Sequence, residues 1–373
     1  MFKAAISGTG LYTPEASISN DELVSCFNTY VQNFNRDNAD KIDAGELDGL
    51  QESSSAFIEK ASGIKSRYAM NKEGILDPEV MHPLLPERSN DEPGVLAQMA
   101  IAAAKDALKN ANKSVGDVDA VIVACSNLQR AYPAVAVEVQ HHLGIDGFAY
   151  DMNVACSSAT FGLQSALNLV ETGTARAVLM VNPEICTAHL NFRDRDSHFI
   201  FGDACTAVIV ERQDTVSSDE SFEVISAKLS TTFSNNIRNN FGFLNRCAPG
   251  SEHKADKLFV QQGRKVFKEV SPMVARMISE HLATNNIECA NLSRMWLHQA
   301  NLSMNQLIAK RVLGREATAL EAPVILDEYA NTSSAGSIIA FHKYRADLAA
   351  GDIGVICSFG AGYSVGSVIL QKR

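Results

Sequence analysis

Two stretches of this chain are near copies of each other, and that repetition constrains the fold more than any other feature. Phe201-Gly202-Asp203-Ala204 precedes the apolar run Val208-Ile209-Val210, and Phe359-Gly360-Ala361-Gly362 precedes Val368-Ile369-Leu370. A second pair follows suit. Cys156 opens a helical stretch that stops at a glycine and runs into a strand, and Asn331 does the same. Two copies only argue for a duplicated α/β unit and against a solenoid. Strands alternating with helices imply mixed sheets covered by helices, with a site between the halves. The division falls near residue 213, giving an N-terminal half, 1–213, and a C-terminal half, 214–373.

The chain, at 373 residues, is long enough for a large core, and its 46% apolar and 20% charged content fits a globular enzyme. Met1-Phe2-Lys3-Ala4-Ala5-Ile6-Ser7 runs straight into a strand-and-turn pattern, and no apolar run is long enough to span a bilayer. No membrane insertion is therefore expected. The eight cysteines are scattered without Cys-x-x-Cys spacing, so free thiols, a cytoplasmic location and no metal centre are expected. A net charge of −10 argues against general nucleic-acid binding, and an acidic protein partner would need a local basic patch.

Ser19-Asn-Asp-Glu22 has the form of a capping box and opens a polar helical region reaching about Leu50. Residues 56–62 read as a short helix stopped at Gly63, and 71–94, with four prolines, as a long surface loop. Helices are expected over 95–112, 134–143, 259–285 and 301–313, and from Asn331 to near Gly351. Strands are expected at 119–125, 177–181, 295–298 and 354–357.

Three junctions carry chemistry. Cys156 lies between a strand and a helix among Ala155, Ser157, Ser158 and Ala159, where the helix dipole favours thiolate and small neighbours admit an acyl group. Alone, it reads equally well as a small buried hydrophobe. His298 ends Met295-Trp-Leu-His298 and Asn331 begins Asn331-Thr-Ser-Ser; singly, these are an ordinary core histidine and an N-cap. Their matching places in duplicated halves point to one site. Its chemistry would be thioester exchange: a thiolate attacks an acyl thioester while backbone N–H groups of Cys156 and the Gly360–Gly362 turn, with Ala361 between, hold the oxyanion. A neutral histidine and an asparagine can both donate to one carbonyl and stabilise the enolate left when a malonyl group loses carbon dioxide. No metal or redox cofactor is required.

At this point the chain resembles the β-ketoacyl-ACP synthase III family of the thiolase superfamily. The resemblance rests on Ala155-Cys156-Ser-Ser, Phe201-Gly202-Asp203, His298-Gln-Ala-Asn301-Leu, Asn331-Thr-Ser and Phe359-Gly-Ala-Gly-Tyr-Ser-Val-Gly. It implies a thiolase-like, duplicated α-β-α-β-α five-layered α/β fold, a homodimer, and condensation of an acyl-CoA primer with malonyl-ACP. By position, Cys156 is the nucleophile, His298 and Asn331 the decarboxylation pair, and Phe359 the aromatic that crowds the malonyl carboxylate. The resemblance further implies CoA contacts from Phe57, Arg195 and Asn301, an acyl-pocket floor set by Tyr132 across the dimer, and carrier docking at Lys310 and Arg311.

The departures are specific. Phe57 and Ala61 stand where housekeeping members carry a tryptophan and an arginine for the CoA nucleotide, and Ser303 replaces a docking arginine. Residues 22–56 and 71–94 are longer than in those members. Together these features imply a specialised paralogue with a primer longer than acetyl, of medium chain length. Cys357 lies in a strand rather than a Cys-x-Gly turn, against a biosynthetic thiolase, and Glu184 reads as structural rather than as the acid of a hydroxymethylglutaryl-type synthase. The runner-up is acyl transfer from CoA to a hydroxyl or amine without decarboxylation.

Overall fold

Each half of the chain builds the same ladder of strands. The computed structural model describes residues 2–251 and 254–373. The N-terminal half begins with β1 (Ala4–Tyr12), β2 (Ala16–Ser19), α1 (Asn20–Asp37), α2 (Ala39–Asp43), α3 (Ser55–Ser62), β3 (Ser66–Ala69) and α4 (Val95–Asn110). It continues through β4 (Ala120–Ala124), α5 (Val135–Leu143), β5 (Phe148–Met152), α6 (Ser158–Glu171), β6 (Ala177–Ile185) and β7 (Asp203–Arg212). The C-terminal half starts with β8 (Phe222–Ser234), β9 (Ile237–Arg238), β10 (Val260–Gln261), α7 (Gly263–Thr284) and β11 (Leu292–Leu297). It closes with α8 (Leu302–Leu313), α9 (Leu326–Tyr329), α10 (Ala335–Lys343), β12 (Ile353–Gly360) and β13 (Gly362–Lys372).

The main ladder runs β11-β12-β13-β8-β1-β7-β6-β4-β5. Outward from β1, the neighbours pair antiparallel to β7, antiparallel to β6, then parallel to β4 and β5. Outward from β8, they pair antiparallel to β13, antiparallel to β12, then parallel to β11. The second half repeats the first without a counterpart of β5. The halves join where Ala5 and Ile6 pair with Glu223 and Phe222.

Strands covered on both faces should be apolar throughout, and these are. In β4, Val121 and Val123 pack outward against α4 and α5, while Ala120, Ile122 and Ala124 pack inward. The inner cluster is filled by α6 and α10, through Leu163, Leu167, Ile338 and Phe341, which also meet Ile356 and Val368 of the second half. On the far side, α7 and α8 cover Met295, Leu297, Val355 and Val365. The layer order is therefore helix, sheet, helix, sheet, helix, as the resemblance implied. The small residues of α6 and α10 let both sheets approach this central helical layer.

The additions are packed structure. Ser19 and Glu22 form the expected capping box, and Leu23, Phe27 and Val31 of α1 bury against Ile58, Phe199 and Phe201. Residues 71–94 are irregular and are anchored by buried Ile75 and Met81. Two sequence readings need correction. The second-half helix begins at Ala335 and ends at Lys343, not near Gly351. The Tyr344 carbonyl accepts from Arg294 Nη1 at 2.8 Å and Trp296 Nε1 at 2.9 Å, which turns the chain out of the helix. Strand β8 escaped notice because most of it is only half-buried, so its apolar alternation is weak.

Candidate active site

Cys156 occupies the turn between β5 and α6. Ala155, just before it, has φ +47°, a left-handed conformation that disfavours a side chain and aims the next residue sharply. The Gly360 backbone lies directly behind it: a Cβ there would stand 2.6 Å from Cys156 Cβ and 3.0 Å from Sγ. Gly202, its counterpart in the first copy, plays the same part for the other half. A Cβ at Gly202 would stand 2.4 Å from the Tyr329 carbonyl oxygen, beside the Asn331 turn. The duplicated Phe-Gly pair thus marks the two places where each sheet end closes on the opposite half's catalytic turn.

Ser333 Oγ donates to Cys156 Sγ at 3.5 Å. Burial pushes the thiol up to about 11; the Ser333 hydroxyl counters it, the Glu184 carboxylate reinforces it, and the N–H groups of Cys156 and Ala361 counter it again. The helix dipole favours thiolate, as the sequence suggested, but burial opposes it more strongly. Desolvation shifts the balance toward the thiol.

His298 follows β11, with its backbone N–H donating to the Cys357 carbonyl at 2.8 Å. Its ring meets Phe359 edge-to-face, with centroids 5.2 Å apart and planes at 87°. Burial lowers its pKa to about 4, partly opposed by the Ser333 backbone, so the imidazole is neutral. Nδ1 is buried without a partner among the described residues. Asn331 is locked by its backbone, donating to the Ile200 carbonyl at 3.0 Å and accepting from Gly202 N–H at 3.2 Å. Its side-chain carbonyl accepts from Ser333 N–H at 2.9 Å, which leaves the amide NH₂ as its free donor group.

Cys156, His298, Asn331, Phe359 and Gly360 all line one cavity of about 310 Å³. Its walls are apolar, with Phe201, Ile237, Phe259 and Met304 among them, and the exposed Asp196 and Arg264 add charge. A larger cavity, about 440 Å³, lies between residues 85–96 and 127–130 and touches none of the three junction residues. All three junction residues line the smaller one.

The remaining expected residues are placed unevenly. Arg195 stacks on Phe57 at 4.3 Å, and Phe57 meets the cavity residue Phe199 edge-on at 5.9 Å, so this pair stands one ring away from the cavity. Asn301 lines the cavity but is also the N-cap of α8, accepting from Met304 N–H at 3.2 Å and donating to the Ala61 carbonyl at 2.7 Å. Tyr132 is 85% exposed and is not part of its own chain's cavity. Lys310 is ion-paired with Glu316 at 2.5 Å, and Arg311 is exposed. Cys357 and Glu184 are buried and line no part of the cavity. Sequence reasoning missed Ser333, whose only signal was its place in Asn-Thr-Ser-Ser. It also missed Ile237, in β9, and Phe259, just before β10, which both line the cavity; Phe259 lies ahead of α7, which begins at Gly263 and not at residue 259.

Comparison with known proteins agrees with this geometry. Residues 150–232 match the family described as 3-oxoacyl-[acyl-carrier-protein] synthase III, and residues 282–372 match its C-terminal region. A beta-ketodecanoyl-[acyl-carrier-protein] synthase of Pseudomonas aeruginosa is 68% identical over 93% of this chain and 99% of its own. A beta-ketoacyl-[acyl-carrier-protein] synthase III of Granulibacter bethesdensis is 28% identical over the whole of both chains. Among solved structures, the 3-oxoacyl-[acyl-carrier-protein] synthase III of Aquifex aeolicus superposes with a TM-score of 0.76 at 24% identity, covering 99% of each chain. A thiol beside a neutral histidine and an asparagine, on a duplicated five-layered fold with these relatives, leads to one conclusion: this chain belongs to the β-ketoacyl-ACP synthase III family of condensing acyltransferases.

Proposed function

We propose that Cys156 takes a medium-chain acyl group from acyl-CoA, and that His298 and Asn331 then drive its decarboxylative condensation with malonyl-ACP. The observation that carries this reading is the convergence of the three side chains on one apolar cavity. In the first half-reaction the Cys156 sulfur attacks the acyl-CoA carbonyl, its proton goes to the departing CoA sulfur, and an acyl-enzyme thioester remains. The N–H groups of Cys156 and Ala361, already turned toward the sulfur, suit the oxyanion of this step. In the second half-reaction His298 and Asn331 donate to the malonyl thioester carbonyl. The carboxylate leaves as carbon dioxide, the enolate attacks the acyl carbon, and Cys156 is released as thiolate and takes one proton from solvent to regain its thiol. Atoms and electrons balance without a metal or redox partner. Acyl transfer to a hydroxyl or amine is not favoured, since the family forms carbon–carbon bonds and such transfer has no use for the enolate pair.

Primer length follows from the relative's name. A ketodecanoyl product has ten carbons, of which malonate supplies two, so an eight-carbon primer is proposed here. A cavity walled by Phe201, Ile237, Phe259 and Met304 suits such a chain. A homodimer is also proposed: β5 ends the ladder with one side unpaired among the described residues, its Phe148 is exposed, and so is Tyr132. All eight cysteines are free, which suits a reducing cytoplasm, and among the described residues no helix is long and apolar enough to cross a membrane. The test is a panel of even-chain acyl-CoAs, each scored by intact mass for acylation of Cys156. Octanoyl-CoA is expected to load best; a preference for acetyl-CoA would overturn the proposed primer.

A further inference from the structure

Glu184, at the end of β6, lies outside the cavity, yet both catalytic turns are tied to it. Its Oε1 accepts from Ser126 N–H at 3.0 Å, from Ser334 N–H at 3.2 Å and from Ser334 Oγ, and its Oε2 accepts from Ser126 Oγ at 2.5 Å. The carboxylate is 1% exposed, and no cation pairs with it among the described residues. Each serine leads to one turn. The Ser126 carbonyl accepts from Asn153 Nδ2 at 2.8 Å, and Asn153 Oδ1 accepts from Ala155 N–H at 2.8 Å, immediately before Cys156. Ser334 follows Ser333, which holds both Cys156 Sγ and the Asn331 side chain. Strain is present at these turns as well: Ala155, Ala330 and Ser333 are three of the six non-glycine residues with positive φ among the described residues, at +47°, +53° and +49°. Such conformations persist only where their surroundings over-determine them.

We infer that Glu184 is a positioning residue that clamps the Cys156 turn of one half and the Asn331 turn of the other in register. It touches neither substrate nor reacting atoms. A buried carboxylate is suited to this because, besides the Cys186 thiol at 3.8 Å, it accepts four hydrogen bonds from the two serines at one point, two from each half. The inference rests on the proposed role of Asn331. A proton-transferring role is the competing explanation, and the two differ in what glutamine can do. Glutamine keeps one oxygen for the Ser126 and Ser334 donors and can donate to Ser126 Oγ through its amide.

The test measures malonyl-ACP decarboxylation and Cys156 acylation per folded enzyme in Glu184→Ala, Glu184→Gln, Ser334→Ala and Asn331→Ala. Glu184→Ala should lower kcat for decarboxylation on the order of 10²-fold with KM nearly unchanged, the scale of a small misplacement of catalytic groups. Glu184→Gln should recover most of that loss. Ser334→Ala, which removes one anchor and leaves no buried charge unpaired on that account, should slow decarboxylation more than acylation; it decides the matter if Glu184→Ala does not fold. A Glu184→Gln enzyme as slow as Glu184→Ala would overturn the inference in favour of proton transfer. Unchanged kcat in both Glu184→Ala and Ser334→Ala would reduce Glu184 to a packing residue. Asn331→Ala separates the two levels: normal decarboxylation there sinks the reading of the site, whereas its loss beside normal Ser334→Ala and Glu184→Ala sinks only the clamp.

Discussion

The reactivity of Cys156 is set by a contest between burial and directed donors, and burial wins. With the thiol pushed up to about 11, the thiolate fraction should grow about tenfold for each pH unit through the neutral range. Alkylation of the Cys156 peptide by iodoacetamide should therefore climb from about pH 7 to 9 without a plateau, with the exposed Cys247 scored separately as a reference. A plateau below pH 8 would mean that the amides and helix dipole dominate after all. His298 is held neutral by the same burial, with a pKa of about 4, so it can serve as a hydrogen-bond donor throughout the working range. The decarboxylation rate should show no histidine inflection near the usual 6.5, and one there would contradict a neutral His298. These residues were legible in the sequence because each places a reactive side chain where the hydrophobic pattern changes. Ser333 was not, because a serine in a serine-rich turn carries no pattern.

Among the elements, the two Phe-Gly strand ends do the most for so few atoms. Gly360→Ala should abolish acylation, since its Cβ would displace Cys156, while the fold measured by circular dichroism stays intact. Full acylation in this variant would show that the β12–β13 corner gives way easily. The duplication was readable because glycine is required where one half's backbone closes on the other half's turn. Strand β8 and the β9–β10 pair were not readable: the first is half-exposed, and the second pairs residues more than a score apart across an aperiodic segment. Helix α8 carries the expected carrier-docking charges, but Lys310 already faces Glu316. Charge reversal at Arg311 should therefore raise KM for malonyl-ACP more than reversal at Lys310, without affecting primer acylation. Equal, negligible effects would move the dock elsewhere.

For the whole molecule, protonation should couple to stability through its interior. His189, His198, His281, His298 and His342 all have pKa values lowered to about 4, chiefly by burial. The unfolded chain binds those protons near the ordinary 6.5, so stability is lost as pH falls from 6.5 toward 4. Glu184 and Asp203, raised to about 7 and 6 by burial, and Asp151, also raised by burial, act in the opposite sense, but they are three groups against five. The melting temperature should drop on going from pH 7 to pH 5, and a rise would contradict this balance. Helix-covered mixed sheets and their duplication were legible in the alternation and repetition of elements, whereas the five-layer order was implied by the family resemblance. The joining of the two sheets at Ala5 and Ile6 was not, since two residue pairs leave no pattern in the sequence. Tyr132, exposed in the single chain, gains a role only in a dimer: Tyr132→Ala should shift loading toward longer acyl-CoAs and Tyr132→Trp toward shorter ones. Unchanged profiles in both would leave it a surface residue. The central claim, that one cavity divides acyl loading from enolate formation among three residues, is tested most directly by measuring the two half-reactions side by side. Wild type, Cys156→Ala, His298→Ala and Asn331→Ala are each incubated with octanoyl-CoA for intact mass and with malonyl-ACP for carbon dioxide release. Cys156→Ala should gain no octanoyl group yet still decarboxylate, whereas His298→Ala and Asn331→Ala should acylate normally and lose roughly 10²–10³ in decarboxylation. Normal carbon dioxide release by either of the last two, or octanoyl transfer to Cys156→Ala, would contradict the account.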